Sequence, residues 1–229
     1  MKIGGFLKFS LIDYPGHIAA VIFTQGCAFK CSYCHNPELV LPQHFQKTLD
    51  LEEILKFLNK RKGKLDGIVI SGGEPTIQED LEEVIGRMKT EGWKIKLDSS
   101  GIRPDVLRKL IENKSIDYIA MDIKAPLDKY IEITPTHVPI SKIKESIDLI
   151  KSSPIPYEFR STLLASIHSP EDLISMAKTI EGAKLYVLQT FRPEKTLDPK
   201  WKYKKEYLQK KLLPMQEEIE RYVETCAFR

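Results

Sequence analysis

Three thiols fall within eight residues of this chain: Cys27, Cys31 and Cys34, in "CAFKCSYCHN" over residues 27–36. Two clustered thiols would suit a disulfide or redox pair, and four a structural zinc. Three on one loop can hold three corners of a cubane iron–sulfur cluster, whose full protein ligation needs four. The fourth iron then stays open to bind an outside ligand and pass it an electron. Two alternatives stand beside this. A zinc ion would want a fourth ligand, but His35 directly follows Cys34, a cramped spacing on one tetrahedral ion. Inert buried cysteines fit poorly with a loop bounded by Gly26, which permits a tight exit, and Pro37, which keeps the loop from running on as helix. Cys226, the one other cysteine, cannot hold a second cluster.

Something must position that loop. Apolar, β-branched runs at 18–25, 67–71, 93–100, 117–124, 157–164 and 184–191 read as strands, and little alternation in the first two suits burial on both faces. Amphipathic runs at 50–62, 78–90, 103–114, 140–152 and 170–180 separate them. Asp50 can cap the first helix, and Ser169-Pro170-Glu171 opens the last with proline at its first position. Six strands alternating with helices predict parallel pairing through right-handed crossovers. Polar residues recur at strand C-terminal ends: Gly72-Gly73-Glu74, Asp98-Ser99-Ser100, Asp122 with Lys124, Arg160 with Thr162, and Gln189. Chemistry collects on that rim in barrels. The expected fold is therefore an α/β partial (β/α)6 barrel of parallel strands, over residues 1–190, with an open sheet as the alternative. Residues 191–229 read as a C-terminal helical extension, with one helix near 203–225 broken at Pro214. Its aromatics, Trp201, Tyr203 and Tyr207, interleave with lysines, which suits either a docking surface or a solvated helix covering an open side.

Composition narrows the class. The chain has 229 residues, 42% of them hydrophobic and 29% charged, as in an ordinary globular domain. Its net charge of +3 puts nucleic-acid binding behind other classes. Lys8 and Asp13 interrupt the N-terminal run, which makes a poor signal peptide, and no apolar run approaches the ~18 residues a membrane span needs. The expected setting is the cytoplasm, where clustered thiols bind metal or react. His44, His137 and His168 fall in polar loops and read as surface residues.

The spacing CxxxCxxC in "GCAFKCSYCHN" resembles the signature of the radical S-adenosylmethionine (SAM) superfamily. A second element fits independently: "ISGGEPTIQ" (70–78) ends the second strand, where that superfamily carries a glycine-rich GGE motif. Within it, "SLIDYPGHIAAVIFTQGC" and "YCHNP" are similar to the opening of the activating enzymes of glycyl-radical enzymes, and "LDSSG" (97–101) and "MDIK" (121–124) to their later strand ends. The likeness spans about residues 10–190 and is greatest to the longer form of the anaerobic ribonucleoside-triphosphate reductase activating proteins. Tyr14 stands where many activating enzymes have Gly, and His17 where some relatives have Ile-Arg after Pro-Gly.

The resemblance implies one 4Fe-4S cluster held by Cys27, Cys31 and Cys34, and SAM on its open iron. One-electron reduction would then cleave SAM to a radical that takes hydrogen from a glycine Cα of a partner enzyme. It places Gly72, Gly73 and Glu74 at the SAM amino group, and Asp98 and Asp122 near its carboxylate, with a monovalent cation between the two aspartates as one option; Ser100 is a further cofactor-binding candidate. Capping or surface salt bridges are the other option for that pair. Lys124 and Arg160 are candidates for the SAM carboxylate or ribose, and Tyr33 for adenine, with simple packing equally open for the tyrosine. The partners implied are a glycyl-radical enzyme and an electron donor such as flavodoxin or ferredoxin. A radical SAM enzyme acting on a small molecule, of the deazapurine synthase type, and a non-enzymatic metal scaffold are the competing functions.

Overall fold

Strands too apolar to face water on either side must pair in the interior. The computed structural model describes residues 1–136, 138–192, 195–203 and 209–229. Its strands are β1 (Ile3–Ser10), β2 (Ala19–Thr24), β3 (Gly67–Gly72), β4 (Lys94–Ser99), β5 (Tyr118–Asp122), β6 (Tyr157–Leu163), β7 (Tyr186–Thr190) and β8 (Cys226–Phe228). They form one eight-stranded sheet in chain order. The helices are α1 (Pro37–Val40), α2 (Leu51–Asn59), α3 (Leu81–Thr90), α4 (Pro104–Glu112), α5 (Tyr130–Ile133), α6 (Ile140–Ser152), α7 (Pro170–Thr179) and α8 (Gln209–Ile219).

The six expected parallel strands are β2 to β7, paired in register from Ala19↔Gly67 through Phe159↔Tyr186. Sequential order decides the architecture. Right-handed crossovers that never reverse direction put every connecting helix on one face, as in a barrel, whereas a doubly wound sheet needs a reversal. No pairing joins β1 to β8 among the described residues, so the barrel is partial and open on that side. Ile22, Ile70, Ile95, Leu97, Ile119 and Phe159 point into the main core, beneath the helices.

Two strands lay outside the sequence reading. β1 runs antiparallel to β2, with register shifts on both sides of its middle. Its two glycines and exposed Leu7 and Phe9 hide the alternation of a buried strand. β8 is three residues long and adds in parallel to β7. The extension therefore ends in the sheet, and its helix spans Gln209–Ile219 with Pro214 inside rather than 203–225. Tyr207 lies outside the described residues, as does His137.

Local signals explain the elements that carry the rim. The Asp50 side chain accepts from Glu52 N at the start of α2. Ser169 and Asp172 close a reciprocal capping box on α7, behind Pro170. Pro37 opens α1 at its first turn instead of stopping a helix, because its missing N–H costs nothing there.

Candidate active site

The cysteine loop leaves β2 at its C-terminal end through Gly26, whose φ of +97° an L-residue would resist. The glycine turn after β3 packs directly on that exit. Gly73 N donates to Thr24 O at 2.9 Å and Glu74 N to Gly26 O at 2.8 Å. A Cβ on Gly73 would fall 2.0 Å from the Gly26 carbonyl oxygen, so only glycine lets the two loops meet. Two motifs 45 residues apart thus share one wall: Cys27, Cys31 and Cys34 line a cavity together with Gly72 and Gly73. Asp98, Ser100, Asp122, Lys124 and Arg160 complete it from the ends of β4, β5 and β6, and Tyr33 from the loop. The cavity holds about 200 Å³.

As free thiols the three cysteines are all shifted. Burial pushes Cys31 up to about 11, against the pull of Lys124, and pushes Cys27 and Cys34 up as well. Protonated sulfur is a poor ligand, so loading with metal must release protons. Three sulfurs on a cavity wall beside a glycine cradle fit a cluster with one open iron and an amino-acid ligand on it.

Behind the cavity runs a chain of charges, from fully buried Lys96 to half-buried Asp122, on the sheet face turned away from the helices. Lys96 Nζ meets Asp98 Oδ1 at 2.5 Å, and Asp98 Oδ2 accepts from Ser71 Oγ at 3.0 Å and from Arg160 Nη1 at 3.2 Å. Arg160 Nε then donates to Asp122 Oδ1 at 3.0 Å, with Nη2 also 3.0 Å from that oxygen as an ion pair, and Lys124 Nζ stands 3.3 Å from Asp122. Burial pushes both aspartates up, but the cations outweigh it: Arg160 and Lys96 hold Asp98 below the usual carboxylate range, and Arg160 and Lys124 hold Asp122 there. Burial lowers Lys124, yet Asp122 and the nearby thiols raise it well above its ordinary value.

This geometry corrects the option of a monovalent cation between Asp98 and Asp122. The Arg160 guanidinium already bridges them, so neither carboxylate needs an outside ion. The same bridge removes Arg160 from the candidates for direct ligand contact through a free guanidinium. Lys124 is left with the looser pairing, and it faces the cavity.

Glu74 is corrected too. Its Oε1 accepts from Thr76 N, Thr76 Oγ1 and Ser99 Oγ at 3.1, 2.6 and 2.9 Å. Its Oε2 accepts from Ser100 N at 2.7 Å and from Ser100 Oγ. A carboxylate offers about four lone-pair sites, and five protein donors already use them. With 1% exposure and no place in the cavity wall, Glu74 ties the glycine turn to the end of β4 and cannot also meet an ammonium.

The residues missed by sequence reasoning share one signal. In "KIKLDSS" every second residue is polar within a buried strand, which announces a polar inner face; Lys96, 1% exposed, and Ser71 belong to it. His168 has no such signal. It is buried, not a surface residue: Nδ1 accepts from Leu164 N at 3.1 Å and Nε2 faces the Lys124 carbonyl at 2.9 Å. Acceptance at Nδ1 requires the neutral ring, and burial lowers its pKa accordingly. His168 therefore fixes the backbone of Lys124. His44 is exposed, as expected. Tyr33 is 6% exposed and packs edge-on against Phe191 and Trp201 while lining the cavity. Tyr14 lies on the inner face at the opposite end of the strands, against Tyr118, and takes the space a Cβ on Gly67 would need. Cys226 sits in β8, away from the cavity wall.

Known proteins are similar to this chain in sequence and in fold. The family model for the radical SAM superfamily matches residues 21–180. A Methanocaldococcus jannaschii protein named among the glycyl-radical enzyme activating enzymes is 38% identical over 87% of this chain and 84% of its own length. The pyruvate formate-lyase-activating enzyme of Staphylococcus epidermidis is 32% identical over 75% of this chain and 72% of its own. Among solved structures, Streptococcus suis SuiB bound to S-adenosylmethionine shares the fold with a TM-score of 0.70, at 16% identity over 91% of this chain and 49% of that one. The chain belongs to the radical SAM superfamily, enzymes that work with a 4Fe-4S cluster and SAM, and within it to the glycyl-radical enzyme activating enzymes.

Proposed function

We propose that this activating enzyme generates the glycyl radical of an anaerobic ribonucleoside-triphosphate reductase. The observation that carries the site reading is the shared wall on which the thiols of the cysteine loop and the glycine turn face one polar cavity. When bound, the cluster and SAM supply the chemistry: reductive cleavage of SAM to methionine and a radical able to take a hydrogen from a glycine Cα. Cys27, Cys31 and Cys34 hold the iron. The Gly72–Gly73 backbone receives the SAM amino group, with Glu74 acting through the turn it fastens. Lys124, paired with Asp122 and lining the cavity, would hold the SAM carboxylate. Tyr33, in the loop between two ligands, offers its ring to adenine.

The open side between β1 and β8 gives a peptide segment a lateral approach to the cavity, which a closed barrel would deny. A small one-electron carrier of the flavodoxin or ferredoxin type supplies the electron in the cytosol. No helix among the described residues is long and apolar enough to cross a membrane. The test is anaerobic reconstitution followed by reductant, SAM and the reductase. A glycine-centred doublet in the reductase's electron paramagnetic resonance spectrum is expected, and none with the Cys31→Ser activating enzyme. SAM cleavage that yields a small-molecule product and no doublet on any glycyl-radical protein sinks the reading.

A further inference from the structure

Seven large apolar side chains stand out as exposed among the described residues, and four of them fall close together in the chain: Leu7 at 44%, Phe9 at 54%, Leu11 at 64% and Ile12 at 83%. They lie on β1 and the turn after it. β1 is the edge of the sheet beside the open side, and past the Leu49 N to Ile3 O bond no described segment pairs with its outer edge. An unpaired, apolar edge strand is a hazard that proteins ordinarily blunt with charge, bulges or a cover. In the cleft beside β1 the lining charges are all of one sign. Phe9 lines a cleft with Phe57, Leu65, Lys8, Arg61 and Lys64. Lys8 and Arg61 lie over the Phe57 ring, at 5.5 and 5.3 Å from its centroid. None of the ion pairs found among the described residues engages Lys8, Arg61 or Lys64.

We infer that this edge is the docking surface for the protein substrate, and that it takes an extended, apolar segment flanked by acidic residues as an added strand on β1. Free N–H and C=O groups along an edge call for a strand, and side chains on alternate positions supply specificity. The unpaired cations call for acidic flanks, which also steer the encounter. A second copy of this chain is the wrong occupant, because patch against patch would bring Lys8, Arg61 and Lys64 of both copies together. A lipid surface would leave the strand edge without hydrogen-bond partners. Leu7 pairs with Val21 and Ser10 with Ala19, so the patch lies toward the end of the sheet away from the cysteine loop, where it holds the partner's body and leaves the cavity mouth free for the reacting segment. The inference rests on the reading of the chain as an activating enzyme with a protein substrate.

Two arms test it on the full, reconstituted protein. In the first, the charge-reversed variant Lys8→Glu/Arg61→Glu/Lys64→Glu and the variant Phe9→Ser/Ile12→Ser are titrated with the reductase. The half-saturating reductase concentration for radical formation should rise at least roughly tenfold in each, the scale on which losing charge steering and an apolar anchor acts. SAM cleavage without partner should stay at the wild-type rate, since none of these residues reaches the cavity. An unchanged half-saturating concentration overturns the inference. The second arm needs no reductase and so separates the two readings. A fluorescent peptide of alternating Val and Thr with glutamate flanks should bind the wild type by anisotropy, its lysine-flanked twin should not, and charge reversal should exchange the two. No binding, or equal binding of both peptides, overturns the inference. So does binding of phosphatidylserine vesicles in place of the peptide, or a dimer in sedimentation that Ile12→Ser dissolves. Failure of every glycyl-radical protein to gain a radical with the wild type sinks the proposed function, while the peptide arm still decides the surface.

Discussion

A carboxylate enclosed by donors does different work from one that faces a ligand, and Glu74 is the first kind. Glu74→Ala strands the buried Ser99 hydroxyl, the Ser100 N–H and both Thr76 donors. The expected cost is about 3 kcal/mol, the upper end for one unsatisfied buried donor, or a fall of roughly 6–12 °C in Tm for a chain of this size. Thermal melts of the metal-free protein without SAM measure it. An unchanged melting temperature with weakened SAM binding would return Glu74 to direct contact. The cysteines divide the other way. Cys27→Ser, Cys31→Ser and Cys34→Ser should each abolish the iron–sulfur absorption after reconstitution, because two thiolates hold a cubane poorly. Cys226→Ser should keep it, since that side chain lies in β8 and outside the cavity wall. Loss of the cluster in the Cys226 variant would overturn the ligand assignment.

Between elements, Arg160 is the tie that joins the ends of β4, β5 and β6. Arg160→Met leaves Asp98, 11% exposed, and Asp122, 35% exposed, short of a partner. Solvent screens the second, so the loss is about 2 kcal/mol, and Arg160→Lys recovers little because one ammonium cannot bridge two carboxylates as a planar fork does. The pH dependence follows from the sign of the shifts. Both aspartates titrate below their unfolded value of about 3.9, so the stability they contribute is complete above that pH and is lost as pH falls through the lower, folded values. Urea unfolding of the wild type should therefore hold its aspartate contribution from pH 5 to 7, and Arg160→Met should move the acid limb toward neutrality. An identical acid limb in the variant would mean the network carries no stability.

At the scale of the molecule, the open side of the sheet is held in part by one ion pair. Arg229 reaches from the end of β8 to Glu158, which is fully buried on β6, at 2.9 and 3.1 Å. Removing the arginine leaves a buried carboxylate, but its side chain is 37% exposed, so solvent screens the pair. The cost of Arg229→Ala is set at about 2 kcal/mol, below that of a fully buried pair. Local hydrogen exchange should rise at Cys226–Phe228 and at the β7 edge before anywhere else. Protection unchanged there would show that α8 and the apolar contacts of β8 suffice.

The sequence by itself determined the chemistry and the strands that present it. Thiol spacing needs no tertiary context, because three candidate ligands on one loop are local, and GGE declares itself as a turn at a strand end. β2 and β3 were legible because burial on both faces leaves unbroken apolar runs, and β4 and β6 because polar and apolar residues alternate along them. β1 and β8 were not, since an edge strand with two glycines and a three-residue strand carry no period to read. The roles of charged side chains were decided only by folding. Asp98, Asp122 and Arg160 sit on three different strands, and whether two carboxylates share an ion or an arginine depends on which side chain the sheet places between them. Glu74 likewise looked ligand-facing until the end of β4 closed on it, because hydrogen-bond saturation is a property of neighbours brought together from 25 and 26 residues away.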